Sequence, residues 1–515
     1  MLNNTMDDRQ NYFHLEELTA ILGAQPINFD PAANAASITS VTDSSQRVSS
    51  GSIFVAYPGV KVDAHDFLLE AFQAGASAAV VSKAEKATGL PSKYPCLLVP
   101  SGRRAVSRLA ALFAGEPSEK LLTIGITGTN GKTTICWLLY NLLGKLECPG
   151  IEIGTLGVQA QNIIDEVGQI TTPSALEVQK SLKLAVDHNL KCAVIEASSH
   201  ALAQHRVDDV QFDLGIFTNL TTDHLDYHLD MESYFVAKVK LFQAIAKVKH
   251  KAALTQQPLC RAVINVDCPY GRRMVDLVRE LGLRCITFGE AAEAEVRISD
   301  LQQNLQESSV TIAFEGQQYT IASPLLGFHN ASNICACFAA SISLGYRAEE
   351  IAAQMQRLPC APGRLEFCGN DDVAVFVDYA HTGDGLEHAL SALKGLVKNN
   401  LWVIFGCGGN KDPRKRTGMA RAASKLADKI VITSDNPKTE DPQKIIDEIL
   451  SEGCQAYMIE MDRAVAIEKT MQQVEKGDVV LLAGKGHEDY QIIGTDVFHF
   501  SDKEEVLKLR DRGVF

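Results

Sequence analysis

The sequence predicts an α/β protein whose sheets are mainly parallel. Short apolar runs, such as LLTIGIT (121–127), VAVFVDY (373–379) and VVLLAG (479–484), alternate with segments of helical periodicity. The helical segment 132–145 follows its strand closely, and this order is typical of parallel strands joined by crossover helices. Residues 295–322 differ, because polar and apolar side chains alternate there as they do in antiparallel strands.

Chain length and two changes in composition indicate the domain organisation. The 515 residues suggest about three domains. GEPSEK (115–120) precedes one strand, and LPCAPGR (358–364) precedes a fresh series of strands. We therefore expect domains at residues 1–118, 119–358 and 359–515.

Charge and hydropathy exclude several classes of protein. Lys plus Arg number 49 and Asp plus Glu number 63, which gives a net charge of −14, so the basic footprint of a nucleic-acid binder is absent. No apolar run approaches the ~18 residues of a membrane span. The N-terminal sequence lacks the basic start and apolar core of a secretory signal. We expect a cytoplasmic protein with reduced cysteines and with neither nucleic-acid nor membrane partners.

The strongest local motif is a glycine-rich loop between a strand and a helix. It consists of Gly128, Thr129, Asn130, Gly131, Lys132, Thr133 and Thr134. Glycines let backbone N–H groups converge on phosphate oxygens, and the helix N-terminus adds a positive dipole. Lys132 is expected to reach the β- and γ-phosphates, and Thr133 to offer its hydroxyl to Mg²⁺. An ordinary βα turn is the alternative, because the GxxGKT spacing is tighter than that of the standard loop.

These motifs carry a family resemblance. TGTNGKTT resembles the ATP loop of the Mur ligases and of their folylpolyglutamate synthetase relatives, which make an amide from a carboxylate and an amine. EASSHALAQHR (196–206) and DHLDYHLDMESYFVAK (223–238) resemble central-domain motifs of the same family. The resemblance implies a three-domain Mur ligase architecture with a central P-loop ATPase-like parallel sheet and a Rossmann-like C-terminal domain. The three domains, in chain order, would bind the UDP-sugar, ATP and the incoming amino acid.

The central motifs point to metal-assisted phosphoryl transfer. Glu196 ends a predicted strand, where a carboxylate can hold Mg²⁺ together with Thr133. The resemblance implies that His224 binds a second Mg²⁺ and that CO₂ carbamylates Lys238, whose ammonium would thereby become a carboxylate-like ligand. Two metal ions can neutralise charge during phosphoryl transfer. The predicted catalytic residues are Lys132, His224 and Lys238.

Other interpretations of the 223–238 motif stay open. His224 and His228 are four residues apart and could pair on zinc, although no matched acid and third ligand accompany them. A solvated helix lysine is the plain alternative for Lys238, and Lys240 is its nearest rival. Leu229 stands where relatives often carry glycine.

Further segments resemble the family's nucleotide and sugar contacts. The resemblance assigns ATP contacts outside the loop to Asn330, Arg364, Asp378 and His381, with His329 and Asn333 as further contacts to the base. A helix cap is the alternative role of Asn330. The contacts implied for the UDP-muramoyl dipeptide are Ser45, Thr171, Thr172, Ser198, Gln204 and Arg206. Gln46 stands where the family's uridine segment has arginine, and Gly383 stands where relatives have proline.

The C-terminal motifs resemble the branch of the family that adds meso-diaminopimelate. The residues implied for this amino acid are Lys411, Asp435, Asn436, Pro437, Lys438, Gly484 and Glu488. Diaminopimelate has a distal amino-acid head, which needs a cation for its carboxylate and an acid for its ammonium, whereas L-lysine lacks that carboxylate. Lys411 and Lys438 replace arginines, so they keep the charge and lose the planar fork. L-lysine or another diamino acid is therefore the alternative substrate.

The resemblance as a whole implies an ATP-dependent acid–amino-acid ligase of cytoplasmic peptidoglycan synthesis. It would join meso-diaminopimelate to the D-Glu of a UDP-muramoyl dipeptide through an acyl phosphate. The expected cofactors are ATP, Mg²⁺ and a carbamate on Lys238, the expected partners are small molecules, and the chain is expected to be a monomer. The rivals are a folylpolyglutamate synthetase-like ligase and a nucleotide-binding regulatory module without turnover.

Overall fold

The computed structural model describes residues 12–29, 37–59, 62–166, 168, 170–223, 225–248, 251, 258–370, 372–451 and 453–515. The chain divides into two compact units. The first unit consists of Met1–Gly125, Gly150–Asp213 and Gln243–Gln257, and the second of Ile126–Pro149, Leu214–Phe242 and Pro258–Phe515. The three domain boundaries expected from the sequence stay a prediction.

The helices and strands alternate along most of the chain. The strands of the described residues are β1 (Phe13–His14), β2 (Gln25–Ile27), β3 (Ser37–Ile38), β4 (Ser40–Thr42), β5 (Ser52–Val55), β6 (Ala78–Val81), β7 (Cys96–Leu98), β8 (Leu122–Thr127), β9 (Gly150–Gly154), β10 (Gly157–Ala160), β11 (Ile164–Glu166), β12 (Cys192–Glu196), β13 (Leu214–Phe217), β14 (Ala262–Asn265), β15 (Cys285–Gly289), β16 (Val296–Gln303), β17 (Ser308–Phe314), β18 (Gln317–Ser323), β19 (Glu366–Phe367), β20 (Ala374–Asp378), β21 (Leu401–Phe405), β22 (Lys429–Ile432), β23 (Met458–Ile459), β24 (Val479–Ala483), β25 (Tyr490–Ile493) and β26 (Asp496–His499). The α-helices of the same residues are α1 (Leu15–Leu22), α2 (Leu68–Gln73), α3 (Ala84–Thr88), α4 (Gly102–Ala114), α5 (Lys132–Lys145), α6 (Ala175–Asp187), α7 (Ser199–Ala203), α8 (Leu225–His228), α9 (Met231–Lys247), α10 (Pro269–Glu280), α11 (Phe328–Ser343), α12 (Ala348–Met355), α13 (Gly383–Lys394), α14 (Arg414–Leu426), α15 (Pro442–Leu450), α16 (Arg463–Met471) and α17 (Asp502–Asp511). Short 3-10 helices occur at Ser45–Arg47, Ala64–Phe67 and Pro117–Glu119.

The first unit contains a five-stranded sheet in the order β2-β7-β6-β5-β4, in which β4 to β7 are parallel and β2 is antiparallel. Both faces of this sheet are buried. Ile53 and Val55 pack with Leu109 of α4, whereas Phe54 packs with Phe72 of α2 on the other face. Successive strand residues point to opposite faces, so a run of apolar residues can fill both cores. The same unit contains a run of strands in the order β11-β10-β9-β12, with β9 and β12 parallel.

The second unit contains two groups of strands. In the order β13-β14-β15-β16-β17-β18, the first four strands are parallel and the last two continue as an antiparallel meander. The other group is a six-stranded sheet in the order β19-β20-β24-β21-β22-β23, parallel except for β19. The loops after β20, β21, β22 and β24 leave the carboxyl ends of parallel strands, where α/β folds commonly bind ligands.

The predicted fold class is confirmed. The predicted strands at 121–127, 373–379 and 479–484 form β8, β20 and β24, and residues 295–322 contain the antiparallel strands β16 to β18. The helix at 132–145 forms α5. None of the helices in the described ranges has the length and apolar character needed to cross a membrane.

Candidate active site

The glycine-rich loop connects β8 to α5, and its backbone needs glycine at two positions. Gly128 has φ +150°, and a Cβ there would overlap the hydroxyl of Thr218. Gly131 has φ +85° and caps α5, and a Cβ there would overlap the side-chain oxygen of Asn333. Two side chains, one directly after β13 and one in α11, therefore pack against the loop, and a larger residue at either glycine would displace it.

Two lysine side chains converge on one carbonyl oxygen of this loop. Lys132 Nζ donates to Thr129 O at 2.7 Å and to Gly128 O at 3.1 Å, and Lys238 Nζ donates to Gly128 O at 2.7 Å. Lys238 is 1% exposed, and its Nζ lies 4.3 Å from the centre of the Tyr234 ring. Burial, followed by the charge of Lys132, lowers the pKa of Lys238 well below its usual value. These surroundings favour a neutral amine at Lys238.

A cavity of about 500 Å³ opens beside the loop, within the usual size range of small-molecule sites. The predicted ATP residues that line it are Asn130, Gly131, Thr134, Asn330, Arg364 and Asp378. His329 and Asn333, assigned by resemblance to the base, line it too. The remaining predicted ATP residues are not among its lining residues: Gly128, Thr129, Lys132, Thr133 and His381. The structure therefore brings residues that are far apart in the second unit's sequence, such as Asn130 and Asp378, to one pocket.

Arg364 links this pocket to the phosphate loop. Its Nη2 donates to Thr133 Oγ1 at 3.0 Å, and its guanidinium carbon lies 4.8 Å from the centre of the Tyr379 ring. Asp378, at the end of β20, accepts hydrogen bonds at 2.7 Å from the backbone amides of Leu365 and Ala380. Burial raises the pKa of Asp378 while Arg364 opposes that rise. The carboxylate thus holds the loop that carries Arg364 in place.

The surroundings of two histidines near the pocket lower their pKa values. Burial, and then the charge of Lys415, lowers the pKa of His381 to about 4. Burial, and then His388, lowers the pKa of His329 to about 4. His381 Nδ1 lies 2.9 Å from Tyr379 O, so the backbone fixes the orientation of this ring. A neutral imidazole can both donate and accept hydrogen bonds, which suits contact with a nucleotide.

The helix-cap interpretation of Asn330 is wrong. Helix α11 begins two residues earlier, at Phe328, with Gly327 as its cap. Asn330 lies inside the first turn, is 2% exposed, and donates through Nδ2 to Leu326 O at 2.8 Å. Its Oδ1 accepts from Asn333 Nδ2 at 3.1 Å. The asparagine pair therefore forms a buried polar wall of the pocket.

Sequence reasoning missed two polar links that the structure places at the site. Asp384 Oδ2 accepts hydrogen bonds from Asn130 Nδ2 at 2.6 Å and from Thr221 Oγ1 at 2.9 Å. Lys415 Nζ lies 3.1 Å from Asp223 Oδ1. The local signal for Asp384 is an acid at the start of α13, a position that helix dipoles favour in any protein.

Five of the six predicted dipeptide residues form a cluster within the first unit. Thr172 Oγ1 donates to Glu196 O at 2.6 Å and to Ser198 Oγ at 3.0 Å. Arg206 donates through Nη1 to Thr172 O at 2.7 Å and through Nη2 to Gln204 Oε1 at 2.8 Å. The side chains therefore hold one another in a fixed arrangement.

Thr155 links Thr171, the fifth predicted residue of this cluster, to Glu196, whereas Ser45 stays outside the cluster. Thr171 Oγ1 accepts from Thr155 Oγ1 at 3.2 Å, and Glu196 Oε1 accepts from the Thr155 amide at 2.7 Å. Glu196 is fully buried, so its carboxylate is held by a hydroxyl and an amide. Ser45 begins a 3-10 helix and is not part of this hydrogen-bond network as far as the described residues extend.

The predicted amino-acid residues lie on three loops that converge at the carboxyl edge of the six-stranded sheet. Asn436 Nδ2 donates to Glu488 Oε2 at 2.8 Å, which joins the loops after β22 and β24. A Cβ on Gly484, which has φ +116°, would lie 2.7 Å from Asp435 Oδ2. The backbone amide of Gly409, in the loop after β21, donates to Asn436 O at 2.9 Å.

Lys485 is a further cation at this place that sequence reasoning missed. Its side chain is fully buried, with Nζ 3.3 Å from Asn436 Oδ1 and 3.6 Å from Glu488 Oε2. A lysine inside the GKGHE segment is its only local signal. Because Asn436 and Glu488 both touch Lys485, the three side chains form one polar group.

The charges of this site are crowded. Lys411 lies at the protein surface, yet the surrounding protein desolvates its ammonium and lowers its pKa, with further lowering by Lys438 and Lys415. Burial, and then Asp435, raises the pKa of Glu488, while Lys485 opposes that rise. Lys411, Lys438 and Lys415 repel one another although Asp435 and Glu488 lie near Lys411, and this repulsion favours the binding of a further anionic group.

The backbone of Lys438 is fixed by a neighbouring hairpin. Lys438 has φ +53°, its amide donates to Ile492 O at 3.1 Å, and its carbonyl accepts from the Gly494 amide at 2.7 Å. Ile492 and Gly494 belong to the β25–β26 hairpin and its turn. The hairpin therefore sets the direction in which the Lys438 side chain leaves the loop after Pro437.

The 223–238 motif is only partly described. His224 lies outside the described residues. The ring of His228 stacks on Tyr234 with the ring centres 5.1 Å apart, and His228 is 6% exposed. No group of three His, Cys, Asp or Glu side chains that could hold a metal ion occurs among the residues the structure describes. Leu229 has φ +66°, a conformation that favours the glycine of its relatives.

Three family models match the chain along its length. The model described as Mur ligase family, catalytic domain, matches residues 37–114. The Mur ligase middle domain matches residues 126–341, and the Mur ligase, glutamate ligase domain, matches residues 363–486.

Curated relatives and a solved structure extend this match to nearly the whole chain. The UDP-N-acetylmuramoyl-L-alanyl-D-glutamate–2,6-diaminopimelate ligase of Thermosynechococcus vestitus is 40% identical over 501 residues, which cover 96% of this chain and 97% of the relative. The ligase of the same name from Synechococcus elongatus is 39% identical over 508 residues, which cover 97% and 99%. A solved structure of a ligase of that name matches with a TM-score of 0.67 and 30% identity, and the match covers 97% of this chain and 99% of that one. The chain belongs to the Mur ligase family.

Proposed function

We propose that the protein is an ATP-dependent ligase that joins meso-diaminopimelate to the D-Glu of UDP-N-acetylmuramoyl-L-alanyl-D-glutamate in peptidoglycan synthesis. The observation that carries this proposal is the polar group at the carboxyl edge of the six-stranded sheet. There Asn436 donates a hydrogen bond of 2.8 Å to Glu488, and desolvation, followed by the charge of Lys438, lowers the pKa of Lys411. The relatives that match nearly the full chain bear the name of this ligase.

The first step transfers a phosphoryl group. The D-Glu side-chain carboxylate attacks the γ-phosphorus of ATP, which forms an acyl phosphate and ADP. Lys132 donates hydrogen bonds to two carbonyls of the loop, and it would turn its ammonium toward the phosphates when ATP binds. Arg364, which donates a hydrogen bond to Thr133, would lie against the same loop. Positioning and charge stabilisation are the main contributions that a protein can make to such a transfer.

The second step forms the amide. The amine of the amino acid attacks the acyl carbon, and phosphate leaves through a tetrahedral intermediate while the nitrogen loses a proton. Glu488 and Asn436 would hold the distal ammonium, and Lys411 and Lys438 the distal carboxylate. Held in this way, the substrate presents its other amine at a fixed distance from the acyl phosphate.

The residues at the phosphate loop fit Mg²⁺ and a carbamate. Mg²⁺ favours hard oxygen ligands, commonly one or two from the protein together with substrate phosphates, and the Thr133 hydroxyl supplies such an oxygen at the loop, while Glu196 stays a predicted ligand. The metal would neutralise charge on the phosphates. Carbamylation needs a neutral amine, and Lys238 is buried with a carbonyl and an aromatic ring beside its Nζ. Lys238 and His224 stay the predicted ligands of a second Mg²⁺.

L-lysine is the second candidate amino acid, because lysines replace arginines at positions 411 and 438. A lysine ammonium meets a carboxylate at one point, whereas arginine meets it with two parallel bonds. The charge balance favours diaminopimelate, since the distal head of L-lysine would add a further cation to an already crowded set and bring no carboxylate to Lys438.

An amine comparison with three variants tests this choice. The purified protein is given ATP, the UDP-muramoyl dipeptide and either amino acid, and phosphate release is measured. Lys438→Ala should raise the KM for diaminopimelate about tenfold, as expected for the loss of one charged hydrogen bond, and leave the KM for ATP unchanged. Lys438→Arg should lower the KM for diaminopimelate. The matched control is Lys398→Ala, an exposed lysine of the same unit.

Two outcomes would contradict the proposal. Turnover with L-lysine but not with diaminopimelate would reverse the choice of amino acid. Equal effects of Lys438→Ala on the KM values of ATP and diaminopimelate would remove Lys438 from the amino-acid site.

We further infer a cytoplasmic monomer whose partners are small molecules, and gel filtration with light scattering checks the oligomeric state.

A further inference from the structure

A buried ion pair lies beneath two of the loops that carry the proposed amino-acid site. Arg463 is the first residue of α16, Asp502 is the first residue of α17, and both side chains are fully buried. Arg463 donates from Nε to Asp502 Oδ1 at 2.6 Å and from Nη2 to Asp502 Oδ2 at 2.7 Å. A bidentate pair of this kind fixes the plane of the guanidinium.

The same guanidinium also donates to a main-chain carbonyl of each loop. Nη2 donates to Ala483 O at 3.0 Å, and Nη1 donates to Ser434 O at 3.4 Å. Ala483 ends β24 and directly precedes Gly484, while Ser434 follows β22 and directly precedes Asp435. Strands β22 and β24 lie on opposite sides of β21, so one side chain joins loops that are not neighbours in the sheet.

We propose that Arg463, held by Asp502, is a positioning residue that sets the spacing between these two loops and thereby the fit of the amino acid. The inference rests on the proposed function, because Asp435 and Asn436 on one loop and Glu488 on the other must face one substrate. An error of about 1 Å in such an arrangement can cost ~100-fold in rate. The Asn436–Glu488 hydrogen bond at 2.8 Å depends on the same spacing.

The fork of arginine suits this role. Its N–H groups point in several directions from one rigid plane, so that it can hold a carboxylate on one side and two carbonyls on the other. Lysine would keep the positive charge next to Asp502 but could not reach both Ser434 O and Ala483 O from one nitrogen in the same geometry. Arg463→Lys therefore separates the effect of charge from the effect of position.

Two replacements of the pair and one control test the proposal in the full-length protein. Removing one partner of a buried ion pair leaves an unpaired charge, so the double variant Arg463→Met with Asp502→Leu replaces both charges. The control is Asp478→Asn at the other end of β24. Asp478 is 1% exposed and accepts a hydrogen bond from Trp402 Nε1 at 2.9 Å, so it supports the same strand away from the loops.

The measurements are the KM values for diaminopimelate, ATP and the UDP-muramoyl dipeptide, together with kcat and the thermal unfolding midpoint. Both Arg463 variants should raise the KM for diaminopimelate by about tenfold, the equivalent of one charged hydrogen bond, with the KM for ATP unchanged. Asp478→Asn should lower the unfolding midpoint and leave the KM for diaminopimelate unchanged. If the double variant does not fold, the KM for diaminopimelate of Arg463→Lys alone tests the positioning role.

The outcomes separate this inference from the proposed function. A wild-type protein without turnover of diaminopimelate would overturn both. An active wild type combined with an unchanged KM for diaminopimelate in the folded variants would overturn the positioning role alone. A common shift of all three KM values would also overturn it, because that pattern marks a purely structural residue.

Discussion

Replacement of Lys238 gives the sharpest prediction for the ATP half of the site. Its Nζ is buried against Gly128 O at 2.7 Å and lies 4.3 Å from the centre of the Tyr234 ring. Lys238→Ala removes the nitrogen on which the proposed carbamate forms and leaves a space in a packed interior. Lys238→Met also removes the nitrogen but fills most of that space, so the two variants separate chemistry from packing.

The expected loss follows from the position of the group beside the phosphate loop. Removing one preorganised electrostatic contact at a site of charge development costs about 10²–10³ in kcat. We expect both variants to lose kcat to this extent. The KM for diaminopimelate should stay unchanged, because Lys238 makes no contact with the amino-acid loops in the described structure. Formate or acetate should partly restore Lys238→Ala, since a small carboxylate can enter the vacated space, and should not restore Lys238→Met.

The assay is phosphate release at saturating substrates, with and without added carboxylate. Lys240→Ala is the matched control, because Lys240 lies on the same helix, is partly exposed and is the nearest rival for the modification. It should retain activity. In wild type, a ¹³C-labelled carbamate signal should form from labelled bicarbonate and be absent from Lys238→Met. Full activity of Lys238→Met would refute the carbamate role.

Three further predictions concern the nucleotide pocket. Gly131→Ala should abolish ATP binding, because Gly131 has φ +85° and a Cβ there would overlap the side-chain oxygen of Asn333. An unchanged Kd in a nucleotide titration would contradict this prediction. Asp384→Ala should raise the KM for ATP about tenfold, since its carboxylate holds Asn130 at 2.6 Å, and steady-state kinetics with an unchanged KM would argue against it. Burial lowers the pKa of His329 from 6.5 to about 4, so the unfolded chain binds the proton more readily and stability should fall as the pH drops between these values. Urea unfolding of His329→Gln should show a smaller fall than wild type, and an equal fall would count against the burial of a neutral imidazole.

The phosphate loop could be predicted because its signal is local. A strand, two glycines, Lys132 and a following helix stand in one short segment, and each has a physical reason to be there. Strand positions such as β20 and β24 were predictable for the same reason, since buried parallel strands are runs of apolar residues. A cap at Asn330 would place the start of α11 too late in the sequence, because the actual cap, Gly327, has no capping side chain that a sequence pattern could reveal.

Contacts between distant segments could not be predicted from local patterns. Asn130 and Asp384 are 254 residues apart in sequence, and only the folded chain shows that their side chains meet. Arg463 and Lys485 are buried cations. Arg463 lies at a helix start and Lys485 in the GKGHE segment, and neither local sequence predicts the loop carbonyls and carboxylates that contact these side chains. The residue-level roles assigned by resemblance stay predictions until variants test them.

The most direct test of the central claim is a product measurement on the wild-type protein. ATP, UDP-N-acetylmuramoyl-L-alanyl-D-glutamate and meso-diaminopimelate are supplied together, and the nucleotide products are followed by mass spectrometry alongside ADP. The account predicts that a product whose mass equals the two substrates joined with loss of water accumulates in equal amount with ADP. ADP formation without that product, or no ADP formation with any amino acid, would contradict it.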